Sequence, residues 1–145
     1  MIIITEKKIS LQAREHVVAH DTCIGKRLST DFSISLDSDC QELITNQLIS
    51  IPSVSDFAMA SLDPNCDSII SKSCKNYNYL SGVLVDSWTT TGVTDNTYQV
   101  YYIGNSLSYL DNANEHHSYN IIIYIDGNEY VKSGDGKKSS PYIIE

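Results

Sequence analysis

The sequence predicts an α+β domain, with an N-terminal helix and a second helix at about residues 53–62 packed on a mainly antiparallel sheet. Three observations lead there. Ile9, Ala13 and Val17 recur at helical spacing within residues 5–20, with Glu6, Lys7, Gln12, Arg14 and Glu15 at the other positions. Ser53 stands three residues before Asp56 at the head of Phe57-Ala58-Met59-Ala60, a capping box with Asp in place of Glu. The second half is a series of short β-branched and aromatic runs, each bounded by turn residues, and these read as strands.

In chain order, Thr5 is the N-cap of the first helix, and Asp21-Thr22 with Gly25 supplies its stop. Phe32-Ser-Ile34-Ser-Leu36 alternates strictly, the pattern of an amphipathic strand between Asp31 and Cys40. Residues 42–51 fit either a short helix or an extended segment. The helix capped by Ser53 is broken by Asp63-Pro64-Asn65, and a loop bounded by Cys66 and Cys74 follows. Val83-Leu84-Val85 with the only tryptophan, in Ser87-Trp88-Thr89-Thr90-Thr91, predicts one strand, Gln99–Ile103 a second and Leu107–Leu110 a third. A polar loop, residues 111–118, precedes the most apolar run of the protein, Ile121–Ile125. Gly134-Asp135-Gly136 then turns the chain so that Pro141-Tyr142-Ile143-Ile144 pairs back as a terminal strand, with Pro at its first residue, where a missing N–H is tolerated. On this reading the tail is a structural clasp whose deletion unfolds the domain.

At 145 residues the chain makes a single domain, 1–145, divided into an N-terminal helix and extended segment (1–42) and a core (43–145). A net charge of −8, with Lys and Arg paired only at 7–8, 26–27 and 137–138, excludes a phosphate-tracking surface, so no nucleic-acid partner is expected. No run is long enough for a membrane span, and residues 1–8 lack the charged region and apolar length of a signal peptide.

Cys23, Cys40, Cys66 and Cys74 form no CxxC and have no histidine at zinc-finger spacing, so no metal site is expected from them. An even count in an acidic, Ser-, Asn- and Tyr-rich chain points instead to two disulfides in an oxidising compartment, a secreted or bacterial cell-surface location. Of three connectivities, Cys23–Cys40 with Cys66–Cys74 closes two local loops; four reduced thiols are the alternative. Paired cysteines imply an export segment removed ahead of Met1. His16 and His20 lie one helical turn apart, but nothing nearby offers a third ligand, and they read as surface histidines. Asp111, Asn112, Asn114 and Glu115 form an oxygen-rich cluster, a calcium candidate set against a solvated acidic loop. No nucleophile elbow or comparable catalytic context is present.

Residues 50–61, Ser-Ile-Pro-Ser-Val-Ser-Asp-Phe-Ala-Met-Ala-Ser, resemble the Leu-Pro-Thr-x-x-Glu-Trp-Glu-x-Ala-Ala helix signature of formylglycine-generating-enzyme-like domains, which have a C-type-lectin-like fold. A Cys-rich segment with Asn78-Tyr79-Leu80, the Trp88 strand and the Tyr101-Tyr102-Ile103 strand follow in the same order. Residues 133–144 look like the Ser-Gly-Asp-Gly-Thr-x-x-Asn-Pro-Tyr-x-Leu tail of many secreted or surface-anchored proteins of Firmicutes-type bacteria. The likeness covers about residues 43–145. It departs from the pattern at 119–124, which lacks the usual Arg and Pro, and the N-terminal third does not match. The lectin-type Trp-Asn-Asp motif is absent, and no cysteine pair stands where that enzyme class needs one. The resemblance therefore implies a non-enzymatic extracellular binding or surface-display module whose partner is a protein or a glycan, without a cofactor. The alternative it leaves open is a pilin-like subunit that has lost its hydrophobic N-terminal helix, which brings self-assembly with it.

Overall fold

The computed structural model describes residues 2–4, 15–105, 107–129, 131–134, 140 and 143–144. In order, its elements are β1 (Ile2–Ile4), β2 (Val17–Val18), β3 (His20–Arg27), α1 (Leu36–Asp39), β4 (Glu42–Gln47), α2 (Val54–Met59), a 3₁₀ turn (Lys72–Lys75), β5 (Ser87–Val93), β6 (Gln99–Gly104), β7 (Leu107–Asn112), β8 (Ile121–Ile125), β9 (Val131–Ser133) and β10 (Ile143–Ile144). The described residues are mostly sheet with two short α-helices, a small mixed α+β fold.

The strands form three sheets. The largest has the order β4-β3-β5-β6-β7, antiparallel throughout except where β3 runs parallel to β5. A second sheet sets β8 between β1 and β2, and β9 pairs with β10 as a separate ribbon. A bridge from Ser50 to Ile122 and another from Ser87 to Ser118 tie β8 and its approach to the rest.

β5 shows how the core is made. Its alternation sends Ser87, Thr89, Thr91 and Val93 inward and leaves Trp88, Thr90 and Gly92 on the other face. The inward face meets α2 and the loops around it: Val54, Phe57, Ala58, Ile69, Leu80, Leu84, Tyr101 and Ile103 are all buried. Thr91 Oγ1 accepts from Val54 N and Thr89 Oγ1 donates to Tyr101 O, so these inward hydroxyls are matched. Helix α2 starts with the capping box read from sequence: Ser53 Oγ accepts from Asp56 N (3.1 Å), and Asp56 Oδ2 accepts from Ser53 N (2.8 Å).

A buried ion pair holds the helices to the sheet. Arg27, at the end of β3, donates through Nε and Nη2 to Asp39 Oδ1 (3.0 and 2.8 Å). It also donates to Asp31 O, Ser33 O and Ser55 Oγ. Asp39 Oδ2 accepts from Ser55 N. One guanidinium thus joins β3, α1, α2 and the 31–35 segment. Gly25 lets this happen, because a Cβ there would overlap the backbone of Asp39.

Several expectations change. Residues 31–35 are not strand and Leu36–Asp39 is helical, because the carbonyls of Asp31 and Ser33 turn inward to Arg27 instead of joining a ladder. Val83–Val85 is turn and bend: Leu84 alone is buried, and the N–H groups of Val83 and Leu84 both donate back to Leu80 O instead of joining a ladder. The first helix does not reach residue 20, since Val17–Val18 pairs with β8 and β3 begins at His20; residues 5–14 lie outside the described residues. β8 is a central strand, but of the small sheet. The terminal residues Ile143–Ile144 do pair back, on the exposed β9, and among the described residues that ribbon is separate from the other two sheets; residues 135–139 and 141–142 of the tail lie outside the described residues. Within the ambiguous 42–51 stretch, Glu42–Gln47 forms the edge strand β4 and Ser50 bridges to Ile122.

Candidate functional site

The Arg27 hub and the Ser50–Ile122 bridge leave a cleft of about 210 Å³ between β3, the start of α2, and β8. Its walls are of two kinds. Ile51, Ile122 and Leu36 are apolar, and the rings of His20 and Tyr124 stack with centroids 3.8 Å apart. Thr22 and Thr90 contribute hydroxyls, and Asp21 and Asp56 contribute carboxylates. Asp56 is oriented by its capping role, which uses Oδ2. Asp21 Oδ1 accepts from Asn46 N. Burial raises the Tyr124 phenol above its ordinary range, with Asp56 and Tyr79 adding to the effect, so it is a neutral donor at physiological pH. No Lys or Arg lines the cleft among the described residues. The Cys23–Cys40 disulfide, with sulfurs 2.00 Å apart, fixes the end of α1 to β3 beside it. The lining is therefore an apolar and aromatic surface set among hydrogen-bonding groups, suited to a small neutral or donor-rich group and hostile to an anion.

A second polar cluster lies at the far end of β5, β6 and β7. His117 is almost enclosed, with 10% of its side chain exposed. Its ring stacks on Tyr102 (4.0 Å, 17°) and meets Trp88 edge-on (4.5 Å, 90°). Nδ1 lies 2.5 Å from Asp86 Oδ1, and Nε2 lies 3.0 Å from Asp111 Oδ2. Burial pulls the His117 pKa down, but hydrogen bonds and charge from Asp86 and Asp111 outweigh it, and the net displacement is upward from 6.5. The same partner holds the Asp111 carboxyl below its ordinary value.

The residues singled out from sequence are dispersed. His16 pairs with Glu129 (2.9 Å) and His20 stacks on Tyr124, so the two do not share a metal-binding face. Asp111 serves His117, and Glu115 N donates to Asn112 O within a turn. Among the described residues no group of three His, Cys, Asp or Glu could hold a metal ion. Cys66 and Cys74 form the second disulfide (1.96 Å), so all four cysteines are paired in the two local loops. Two disulfides fit an extracellular protein. Among the described residues no helix is long and apolar enough to cross a membrane. The cleft itself was not visible in the sequence, because His20, Asp56, Thr90 and Tyr124 come from four separated segments. The one local signal was the capping box that aims Asp56.

No protein-family model matches the chain, and neither the curated proteins nor the solved structures compared with it include a match.

Proposed function

We propose that this chain is a non-enzymatic extracellular binding domain of a bacterial surface protein, and that the cleft between β3, α2 and β8 takes part of its ligand. The observation that carries this reading is the cleft's lining. Thr22, Thr90 and Tyr124 bring hydroxyls that have no protein partner among the described residues, set against the stacked His20–Tyr124 rings in walls fixed by a disulfide and a buried ion pair. Polar groups held by rigid walls and left free for a partner are what a preorganised binding site needs. Exposed tyrosines at 77, 79, 98 and 119 add amphipathic contact area of the kind that recognition surfaces use. The partner classes that fit are an extracellular protein and a glycan.

The test is amide chemical-shift mapping of the oxidised protein against neutral sugars and short uncharged peptides, repeated with Thr90→Tyr, which fills the cleft. Shifts centred on Thr22, Thr90 and Tyr124, lost in the filled variant at unchanged melting temperature, support the reading. Ligands that bind elsewhere, or bind the filled variant equally well, reject it.

A further inference from the structure

We propose that His117 is a proton-operated latch: its protonated ring, held between Asp86 and Asp111 over Trp88 and Tyr102, closes residues 114–117 across the sheet end, and loss of the proton releases them. Ionised carboxylates only accept hydrogen bonds. Two of them at the two ring nitrogens require two N–H donors, which only the imidazolium has. A neutral ring turns one lone pair toward a carboxylate and forfeits that bond.

The titratable and aromatic groups on and around the ring come from every element packed there. Asp86, Asp111, Trp88 and Tyr102 touch it, Tyr109 lies against Tyr102, and Glu115 and His116 are its exposed chain neighbours. Asp86 lies just before β5 and Trp88 within it, Tyr102 on β6, Tyr109 and Asp111 on β7, and Glu115 and His116 on the latch segment itself. Burial, Asp111 and Asp86 raise the Tyr102 phenol, so it stays protonated while His117 titrates. Among the described residues no Lys or Arg pairs with Asp86 or Asp111, so no other cation replaces the imidazolium. The ends of the segment are pinned by backbone bonds: Ala113 N to Tyr98 O, Ser118 N to Asp86 O, and Trp88 N to Ser118 O, each 2.8 Å. Opening is therefore confined to residues 114–117. It uncovers the Trp88 and Tyr102 rings next to the partly exposed Tyr109.

The direction follows from the geometry and from the raised pKa of His117. A folded-state pKa above the unfolded value of 6.5 keeps the latch shut below that pH, and the latch opens as pH rises through the folded pKa. Because the closed state raises the pKa of His117, the closed-to-open ratio is larger for the protonated ring than for the neutral one.

Trp88 is the only tryptophan, so its emission reports the stack directly. We expect one emission transition between about pH 5 and 9 with a midpoint above that of a free histidine. The His117 ring protons should follow the same curve. After correction for the intrinsic pH dependence of exchange, the amides of 114–117 should exchange faster above the transition than below it. Asp111→Asn keeps an acceptor but removes a charge, so the midpoint should fall; His117→Gln should abolish the transition. The proposal is overturned if wild-type emission and ring protons show no shared transition, if Asp111→Asn leaves the midpoint in place, or if His117→Gln retains it. The wild-type titration decides the matter even where a variant does not fold.

Discussion

Replacing Asp39 by asparagine is the sharpest test of what holds the cleft in place. The Arg27 side chain is fully buried and that of Asp39 almost so, and together they make the buried side-chain hydrogen bonds that join β3 to both helices. The new amide can still accept from the guanidinium through its carbonyl oxygen, but the charge is gone. Its NH₂ group then faces Ser55 N, a donor that loses the acceptor it had in Asp39 Oδ2. Breaking one side of a buried ion pair costs about 3–5 kcal/mol, most of it from the uncompensated charge left behind. For a domain of this size each kcal/mol moves the melting temperature by about 3 °C, so a fall of about 10–15 °C is expected. Calorimetry and urea unfolding of the oxidised protein read it, with an unchanged m-value showing that the unfolded state is unaltered. The double variant Arg27→Met/Asp39→Leu supplies the control. It removes both charges and should recover more than half of the loss, because apolar replacements of buried pairs are often neutral. Full recovery is not expected, since the carbonyls of Asp31 and Ser33 also lose their donor. An Asp39→Asn melting temperature within about 3 °C of wild type, or a double variant as unstable as the sum of its parts, refutes the argument.

Other expectations follow from single contacts. The Tyr101 hydroxyl is buried without a partner among the described residues, so Tyr101→Phe should hold or raise stability, by up to about 1–2 kcal/mol in urea unfolding. Ser53→Ala removes the side-chain half of the α2 cap at the cleft rim and should cost about 1 kcal/mol. Reducing the disulfides should destabilise by about 3 kcal/mol for the loop of separation 17 and slightly less for that of separation 8, measured as the drop in urea midpoint with and without reductant. Deleting residues 143–145 should shift melting by only a few degrees, because among the described residues β10 pairs with the exposed β9 alone, and a lone two-stranded ribbon adds little stability in water.

What could be read from the chain was local. The α2 cap needed only Ser53 and Asp56, three residues apart. The two disulfides closed short loops, and the β5 to β8 runs carried their own strand chemistry. What could not be read was set by partners far along the chain. The alternation at 32–36 looks like a strand until Arg27 is known to be buried beneath it, because inward carbonyls leave no mark in side-chain pattern. The Asp111 cluster looks like a cation site until His117 arrives to take it, together with Asp86 from 31 residues away. In both places one enclosed nitrogen-bearing side chain gathers oxygen partners from several segments of the chain. The acidic excess of the sequence is thus partly internal. Arg27 and His117 engage Asp39, Asp86 and Asp111, whereas Asp21 and Asp56, facing the cleft, have no cationic partner among the described residues. Asp21 and Asp56 accept from backbone N–H groups, at Asn46 and at the α2 cap, and so bring uncompensated negative charge to the cleft wall.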